Sequence, residues 1–381
     1  MTSVENKKSV LLVIDGCEFG GGERVFLQLA SGLRDRYLIS VATNTGGEFA
    51  RELCKLGIQT FSVDMYRQLA VKPIRQLRDI ILQNRIALVH SQGARADFFA
   101  RIAGKIADSP HIVCTVAMPV EGFEVTPLRK RVYRFFDQLS ENYVDRFLVV
   151  SNALEQSLTL GRGISSARVV RIYNGIEVSE YQPDLQVNNL RDEWGIPHSE
   201  PLVGAIGRLV WQKGLEHLIQ AAAEILAAVP DAWFLVVGKG PFRKDLRALV
   251  RKLNISDRII FTGFRSDIRE ILSTIDVLVI PSLLEGFPLI TLEAMAMAKP
   301  IVATQIIGIN EQISDGLEGI LVPPKNPKAL GAAVLSLLHD RKLALRLGAG
   351  ARSKVESCFS VEKMVRETEK VYLSLLKVNG D

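Results

Sequence analysis

Four cysteines stand in 381 residues, Cys17, Cys54, Cys114 and Cys358, and no two form a C-x-x-C pair. That argues against a zinc ribbon or a disulfide framework and fits a reduced, cytoplasmic chain. There is no D-x-D triplet and no H-E-x-x-H, and the five histidines, His90, His111, His198, His217 and His339, are dispersed. A divalent-metal mechanism therefore lacks support, no metal is expected, and cationic side chains would have to stabilise a leaving phosphate. G-x-S-x-G is missing, against a serine hydrolase, and so is the Walker pattern G-x-x-x-x-G-K-[ST]. No apolar run reaches about 18 residues, so no transmembrane helix is expected. The opening "MTSVENKKSVLLVIDG" has a short apolar run interrupted by Asp15, which reads as a first β-strand rather than a signal peptide. A large excess of one charge is lacking too. The formal charge is +5 and neither half stands out, so a nucleic-acid partner is not indicated and an anionic ligand or anionic membrane surface fits better.

What is present is alternation. With 48% hydrophobic and 23% charged residues, the composition is that of a globular enzyme. Short apolar runs recur at 9–15, 38–43, 58–63, 87–90, 111–116 and 146–151, separated by helix-length segments such as 21–34, 72–84, 94–107 and 127–143. The alternation breaks in the polar, proline-bearing stretch 178–200 and restarts at 202–207, 233–238, 258–263, 277–282, 301–304 and 319–323. Strands alternating with helices predict parallel sheets with right-handed crossovers. The chain is thus expected to be α/β, with two domains of parallel sheet joined by a linker across a cleft.

Five segments could carry chemistry. In "PSLLEGFPLITLEAMAMAKP" (281–300), Glu285 sits in a loop at a strand's carboxyl end, Gly286 permits the turn, Pro288 suits a first helical turn, and Glu293 lies in the helix. In open α/β sheets ligands bind at that end. "FGGGERVFLQLASGL" (19–33) places Gly20, Gly21 and Gly22 before a helix, an anion cradle or a plain tight turn, and no G-x-G-x-x-G fingerprint. In "GAIGRLVWQKGLEHLIQAAA" (204–223), Arg208 follows a strand and Lys213 lies five residues on, just before a helix, so the two could clamp a diphosphate, the alternative being two solvated charges. "VVGKGPFRKDL" (236–246), with Gly238, and "FTGFRSDIREIL" (261–272), with Phe264 and a capping Asp267, could contact a base or be structural.

Taken together and in order, these segments resemble the group 1, or family 4, nucleotide-sugar-dependent retaining glycosyltransferases of GT-B fold. "VVSNALEQSL" (149–158), the Asn-Gly-Ile of "RIYNGIEVSEYQP" (171–183) with Asn174, and the E-x7-E pair Glu285 and Glu293 carry the likeness further, with Ala298 where glycine is frequent. The resemblance implies two Rossmann-like domains facing each other across a cleft. An acceptor domain would span 1–180, a linker 181–200 and a nucleotide-sugar domain 201–360, with a last helix in 361–381 crossing back to the first domain. It implies that Glu285 lies near the donor sugar's hydroxyls and that Glu293 accepts from the ribose. The amides of Gly286, Phe287, Leu289 and Ile290 would face the phosphates, and Arg208 and Lys213 would stabilise the departing diphosphate. Closure would bring Gly20–Gly22 to the donor. Many relatives carry a histidine where this chain has Ala117, so His90 and Glu121 become candidates beside the reacting sugar. The partners implied are a nucleotide-sugar donor as co-substrate, with no cofactor, and a glycan or polyprenyl-linked acceptor. The setting is cell-envelope or extracellular polysaccharide assembly on the cytoplasmic face of a membrane. "TPLRKRVYRFFDQL" (126–139) interleaves basic and aromatic residues and is expected to form one helix, either an anionic-membrane contact or an ordinary core helix. A nucleotide-sugar epimerase and a catalytically silent binding protein are the alternatives.

Overall fold

The computed structural model describes residues 7–16, 19–65, 71–108, 111–118, 137–183 and 190–377. Glu121 and most of the 126–139 stretch lie outside the described residues. The chain divides into two compact units, Met1–Gly175 with Val361–Asp381, and Ile176–Ser360.

In the first unit β1 (Ser9–Ile14), β2 (Leu38–Thr43), β3 (Gln59–Ser62), β4 (Leu88–Gln92), β5 (His111–Val116), β6 (Arg146–Val149) and β7 (Val169–Arg171) form a parallel sheet in the order β3-β2-β1-β4-β5-β6-β7. The central strand is apolar because both its faces are covered. Val10, Leu11, Leu12 and Val13 are all fully buried, as expected when helices pack on both sides of parallel strands. The chain's last helix, Val361–Leu376, belongs to this unit and packs on the helix Gly21–Leu33. β7 was not foreseen: three residues are too few for a periodic signal.

The second unit repeats the plan with β8 (Leu202–Ile206), β9 (Trp233–Val237), β10 (Ile259–Gly263), β11 (Val277–Ile280), β12 (Ile301–Thr304) and β13 (Ile320–Val322), in the order β10-β9-β8-β11-β12-β13. All these pairings are parallel. The helix Leu215–Ala228 buries Leu218, Ile219, Ala222 and Ile225 against the sheet. Each such Leu or Ile side chain contributes roughly 1.5–3 kcal/mol relative to exposure.

The expected linker, 181–200, is instead part of this unit wherever it is described. Arg191 is buried and donates to the Glu200 carbonyl at 2.6 Å and to Asp276 Oδ2 at 2.9 Å. Polarity suggested an exposed tether, but the polar groups are satisfied inside the domain. The capping expectation also changes. Asp267 stands at the N-cap of the helix Ile268–Thr274 without capping it, because its carboxylate is taken by Arg265 at 2.5 and 2.8 Å.

Ala298 closes the helix Leu289–Ala296 in a left-handed conformation, φ +50°. The Lys299 amide donates to the Ala294 carbonyl at 2.9 Å and the Ala298 amide to the Met295 carbonyl at 3.0 Å. This is a Schellman ending, whose left-handed position favours glycine. Ala298→Gly is therefore expected to stabilise the second unit by about 1 kcal/mol. A thermal midpoint raised by roughly 2–4 °C checks it; an unchanged or lower one would refute the strain.

The first unit carries two buried ionisable groups of opposite effect. Burial lowers the His90 pKa from 6.5 to about 3. Burial raises that of Asp97 from 3.8 to about 6, although Arg101 and a 2.6 Å hydrogen bond from Ser91 pull it down. The stability His90 contributes is full above pH 6.5 and is lost as pH falls towards 3. The stability Asp97 contributes is full below pH 3.8 and is lost as pH rises through 6. The two oppose each other between about pH 4 and 6, each with a slope of at most about 1.4 kcal/mol per unit. Asp97→Asn is expected to leave His90 unopposed, so the thermal midpoint should climb more steeply with pH across that window than in the wild type. Identical slopes would show that Asp97 does not hold its proton in the fold.

Candidate active site

In the second sheet the chain moves outward from β8 to β10, then returns to β11 on the other side of β8. The carboxyl ends of β8 and β11 therefore mark the switch point, where connections diverge and leave a crevice. Arg208 and Lys213 follow β8, and Glu285 follows β11. Lys213 Nζ donates to Glu285 Oε1 at 2.6 Å, and Ser282 Oγ donates to the same oxygen at 2.7 Å. Glu285 is buried. A buried carboxylate needs such partners, because desolvation without them would cost several kcal/mol. Arg208 is exposed and, among the described residues, makes no ion pair.

Backbone contacts lock these loops together. The Gln212 carbonyl accepts from the Leu283 amide at 2.7 Å. The Ser282 carbonyl accepts from Thr304 Oγ1 at the end of β12. Gly308, at φ +84°, lies so close that a Cβ there would stand 2.2 Å from the Gly286 carbonyl oxygen. Any side chain at 308 would push the loop bearing Glu285. Gly308 was missed in the sequence, where an isolated glycine in "IIGINEQ" carried no signal of this approach.

Helix Leu289–Ala296 starts one residue later than expected. Pro288 is its N-cap rather than part of its first turn, and its carbonyl accepts from Gln312 Nε2 at 3.0 Å. Gly286, Phe287 and Leu289 are buried and Ile290 is partly so. Phe287 packs edge-on against Phe359, centroids 5.3 Å apart. Glu293 is buried within the helix and accepts from Tyr181 Oη at 2.8 Å. Gly238 directly follows β9, its amide donating to the Gly263 carbonyl at 2.8 Å. Phe264 is exposed, with Lys239 Nζ 5.4 Å from its ring centre.

In the first unit Gly20 caps the helix beginning at Gly21, and its amide donates to Glu23 Oε2 at 3.0 Å. Gly22 lies against the Gln92 side chain at the end of β4. Asn174 lies beside Gly175, whose amide meets Met364 Sδ at 3.2 Å. His90 is a correction. Its ring is fully buried, with Nδ1 2.6 Å from Tyr372 Oη and Nε2 2.7 Å from Thr115 Oγ1. Both nitrogens are engaged, so it fastens the last helix to the sheet rather than meeting a substrate. Among the described residues no cluster of His, Cys, Asp and Glu is placed to hold a metal, and no helix is long and apolar enough to cross a membrane.

The family model for glycosyl transferases group 1 matches residues 186–354, and that for glycosyltransferase family 4 matches residues 19–180. The chain belongs to the group 1, family 4 glycosyltransferases. It is 24% identical over 314 residues, 80% of each chain, to the UDP-Gal:alpha-D-GlcNAc-diphosphoundecaprenol alpha-1,3-galactosyltransferase of Escherichia coli. It is 30% identical over 213 residues to the lipopolysaccharide core biosynthesis mannosyltransferase LpsB of Rhizobium meliloti, covering 54% of this glycosyltransferase and 61% of that one. Anabaena HepE, solved with UDP-glucose, superposes with a TM-score of 0.85 at 22% identity, over 96% of this chain and 99% of that one. The two parallel α/β domains are thus those of the GT-B fold.

Proposed function

We propose that this glycosyltransferase moves a sugar from a nucleoside-diphosphate sugar to a hydroxyl of a glycan or lipid-linked acceptor, with retention and without a metal ion. The setting proposed is cell-envelope or extracellular polysaccharide assembly at the cytoplasmic side of a membrane. The observation that carries this reading is the Lys213–Glu285 contact at the second sheet's switch point, with Arg208 in the same loop after β8 that carries Lys213. A cation pair there suits a diphosphate, and an acceptor-only carboxylate suits sugar hydroxyls. The names of the E. coli relative and of the HepE complex, with their UDP-sugars and a diphosphoundecaprenol-linked substrate, support the same classes.

These placements support the following chemistry. The acceptor oxygen attacks the anomeric carbon on the face the diphosphate leaves, and the carbon–oxygen bond to the diphosphate breaks. The acceptor's proton passes to the departing phosphate oxygen. Arg208 and Lys213 bear the charge that develops there. No enzymic base is needed in this route, which suits a chain with Ala117 where relatives carry histidine and with His90 confined to the core.

A donor with a radiolabelled sugar tests the reading, after thermal-shift selection among UDP, GDP and ADP and their sugars. Label should move to an acceptor fraction only when acceptor is present. Conversion of the donor into its epimer without acceptor would identify an epimerase, and binding without either reaction a silent binding protein.

A further inference from the structure

We propose that Gln92 is a specificity-determining residue with which the first unit binds a neutral, hydroxyl-bearing ring of the acceptor; this rests on the reading of the protein as a glycosyltransferase with a hydroxyl acceptor. The chain leaves β1 for β2 and β3, then returns to β4 on the other side of β1. The carboxyl ends of β1 and β4 are therefore this sheet's own switch point. Ile14 and Gln92, the last residues of the two strands, stand in register there. Two helices follow these ends, Gly21–Leu33 after β1 and Ala94–Ala107 after β4. Gly93, the N-cap of the second, has φ +100° and open space where a side chain would stand.

Gln92 is 7% exposed, yet its side chain makes no hydrogen bond. Oε1 is covered and unpartnered, and Nε2 donates to nothing. A covered amide without partners weakens a fold, so its presence calls for a reason outside the fold's own hydrogen bonding. The amide lies against the start of the helix Gly21–Leu33, where a Cβ on Gly22 would stand 2.8 Å from Nε2. Gly21 and Gly22 open that helix, so their amides have no carbonyl one turn back to bond. Glu23 decides the class of ligand. Its Oε2 accepts from the Gly20 amide at 3.0 Å, so a carboxylate already takes the place of an anion at this helix start. A hydroxyl fits what remains, because it donates to a carbonyl oxygen and accepts from an N–H. Rotation about the last Gln92 torsion exchanges the two ends of its amide, and neighbouring hydroxyls on a sugar ring match both.

Gln92→Leu removes the amide at similar volume, and Gly22→Ala puts a methyl against Nε2. The probes are methyl α-glycosides of glucose, galactose, mannose and N-acetylglucosamine, titrated by ligand-detected NMR against the full chain, with inorganic phosphate as competitor. At least one glycoside should bind the wild type and bind each variant roughly 10-fold more weakly. Phosphate should not displace it. Because Gln92 has no partner to lose, Gln92→Leu should unfold at the wild-type temperature or above it. No glycoside binding to the wild type, equal affinities in the variants, or displacement by phosphate would each overturn the proposal. A lowered midpoint in Gln92→Leu would also overturn it, by giving the amide a structural task. Label transfer by the wild type separates this site from the wider reading. Transfer that continues while the glycosides fail leaves the glycosyltransferase without this site. Glycoside binding that is lost in Gln92→Leu, in a protein that transfers no label from any donor, keeps a glycoside site at Gln92 and removes the transferase reading.

Discussion

Lys213→Ala and Arg208→Ala are each expected to lower the transfer rate by about 10²–10³, the effect of deleting one preorganised donor aimed at developing charge. The two variants should differ in stability. Arg208 is exposed and, among the described residues, in no ion pair, so its loss should leave the thermal midpoint near wild type. Lys213 is the cationic partner of the buried Glu285 carboxylate. Removing it leaves that carboxylate with Ser282 and should destabilise the second unit by about 1.5–3 kcal/mol. Rate measurements with saturating donor, paired with thermal unfolding, separate the two effects. Wild-type turnover in both variants would overturn the diphosphate clamp. A large loss for Lys213→Ala alone would assign it to collapse of the Glu285 loop.

The next largest contrast is between the two glutamates. Glu293→Ala should weaken the bare nucleoside diphosphate about 10-fold or more, because it removes a buried charged acceptor for paired hydroxyls. Glu285→Ala should leave that affinity within about two-fold and lower turnover with the intact donor by about 10² or more, because its partner is the sugar. The structure adds a condition to the second result. Glu285 holds Lys213 at 2.6 Å, so removing the carboxylate also frees that ammonium. Glu285→Gln keeps an oxygen that can accept from Lys213 and Ser282 and loses only the charge. Turnover falling in Glu285→Gln as in Glu285→Ala would assign the effect to charge near the sugar; recovery in Glu285→Gln would assign it to placement of Lys213. Equal losses of diphosphate affinity in Glu285→Ala and Glu293→Ala would argue against separate roles.

Much of the candidate site was legible because its pieces are local. A strand, a turn and a helix start occupy a dozen consecutive residues, so Arg208, Lys213 and Glu285 could be placed at carboxyl ends from periodicity and breakers alone. The alternation of apolar runs with helical spacing was enough for two parallel α/β domains, since strands buried on both faces leave continuous apolar signatures. Ala298 was noticed as an odd residue; its φ of +50° gives that oddity a physical cost.

What the tertiary structure alone decided are the contacts between residues far apart in the chain. The sequence placed His90 at a strand end as a candidate base, but Tyr372, 282 positions away, and Thr115 claim its ring in the core. The stretch 181–200 was polar and so read as a tether, until Tyr181 found Glu293 and Arg191 found Asp276 inside one domain. Gly308 matters only because a second loop's carbonyl passes where its side chain would be. Local propensity encodes which residues form a strand or a turn. Which buried polar group satisfies which other is settled only when packing removes water, and each one left unpaired would then cost about 1–3 kcal/mol.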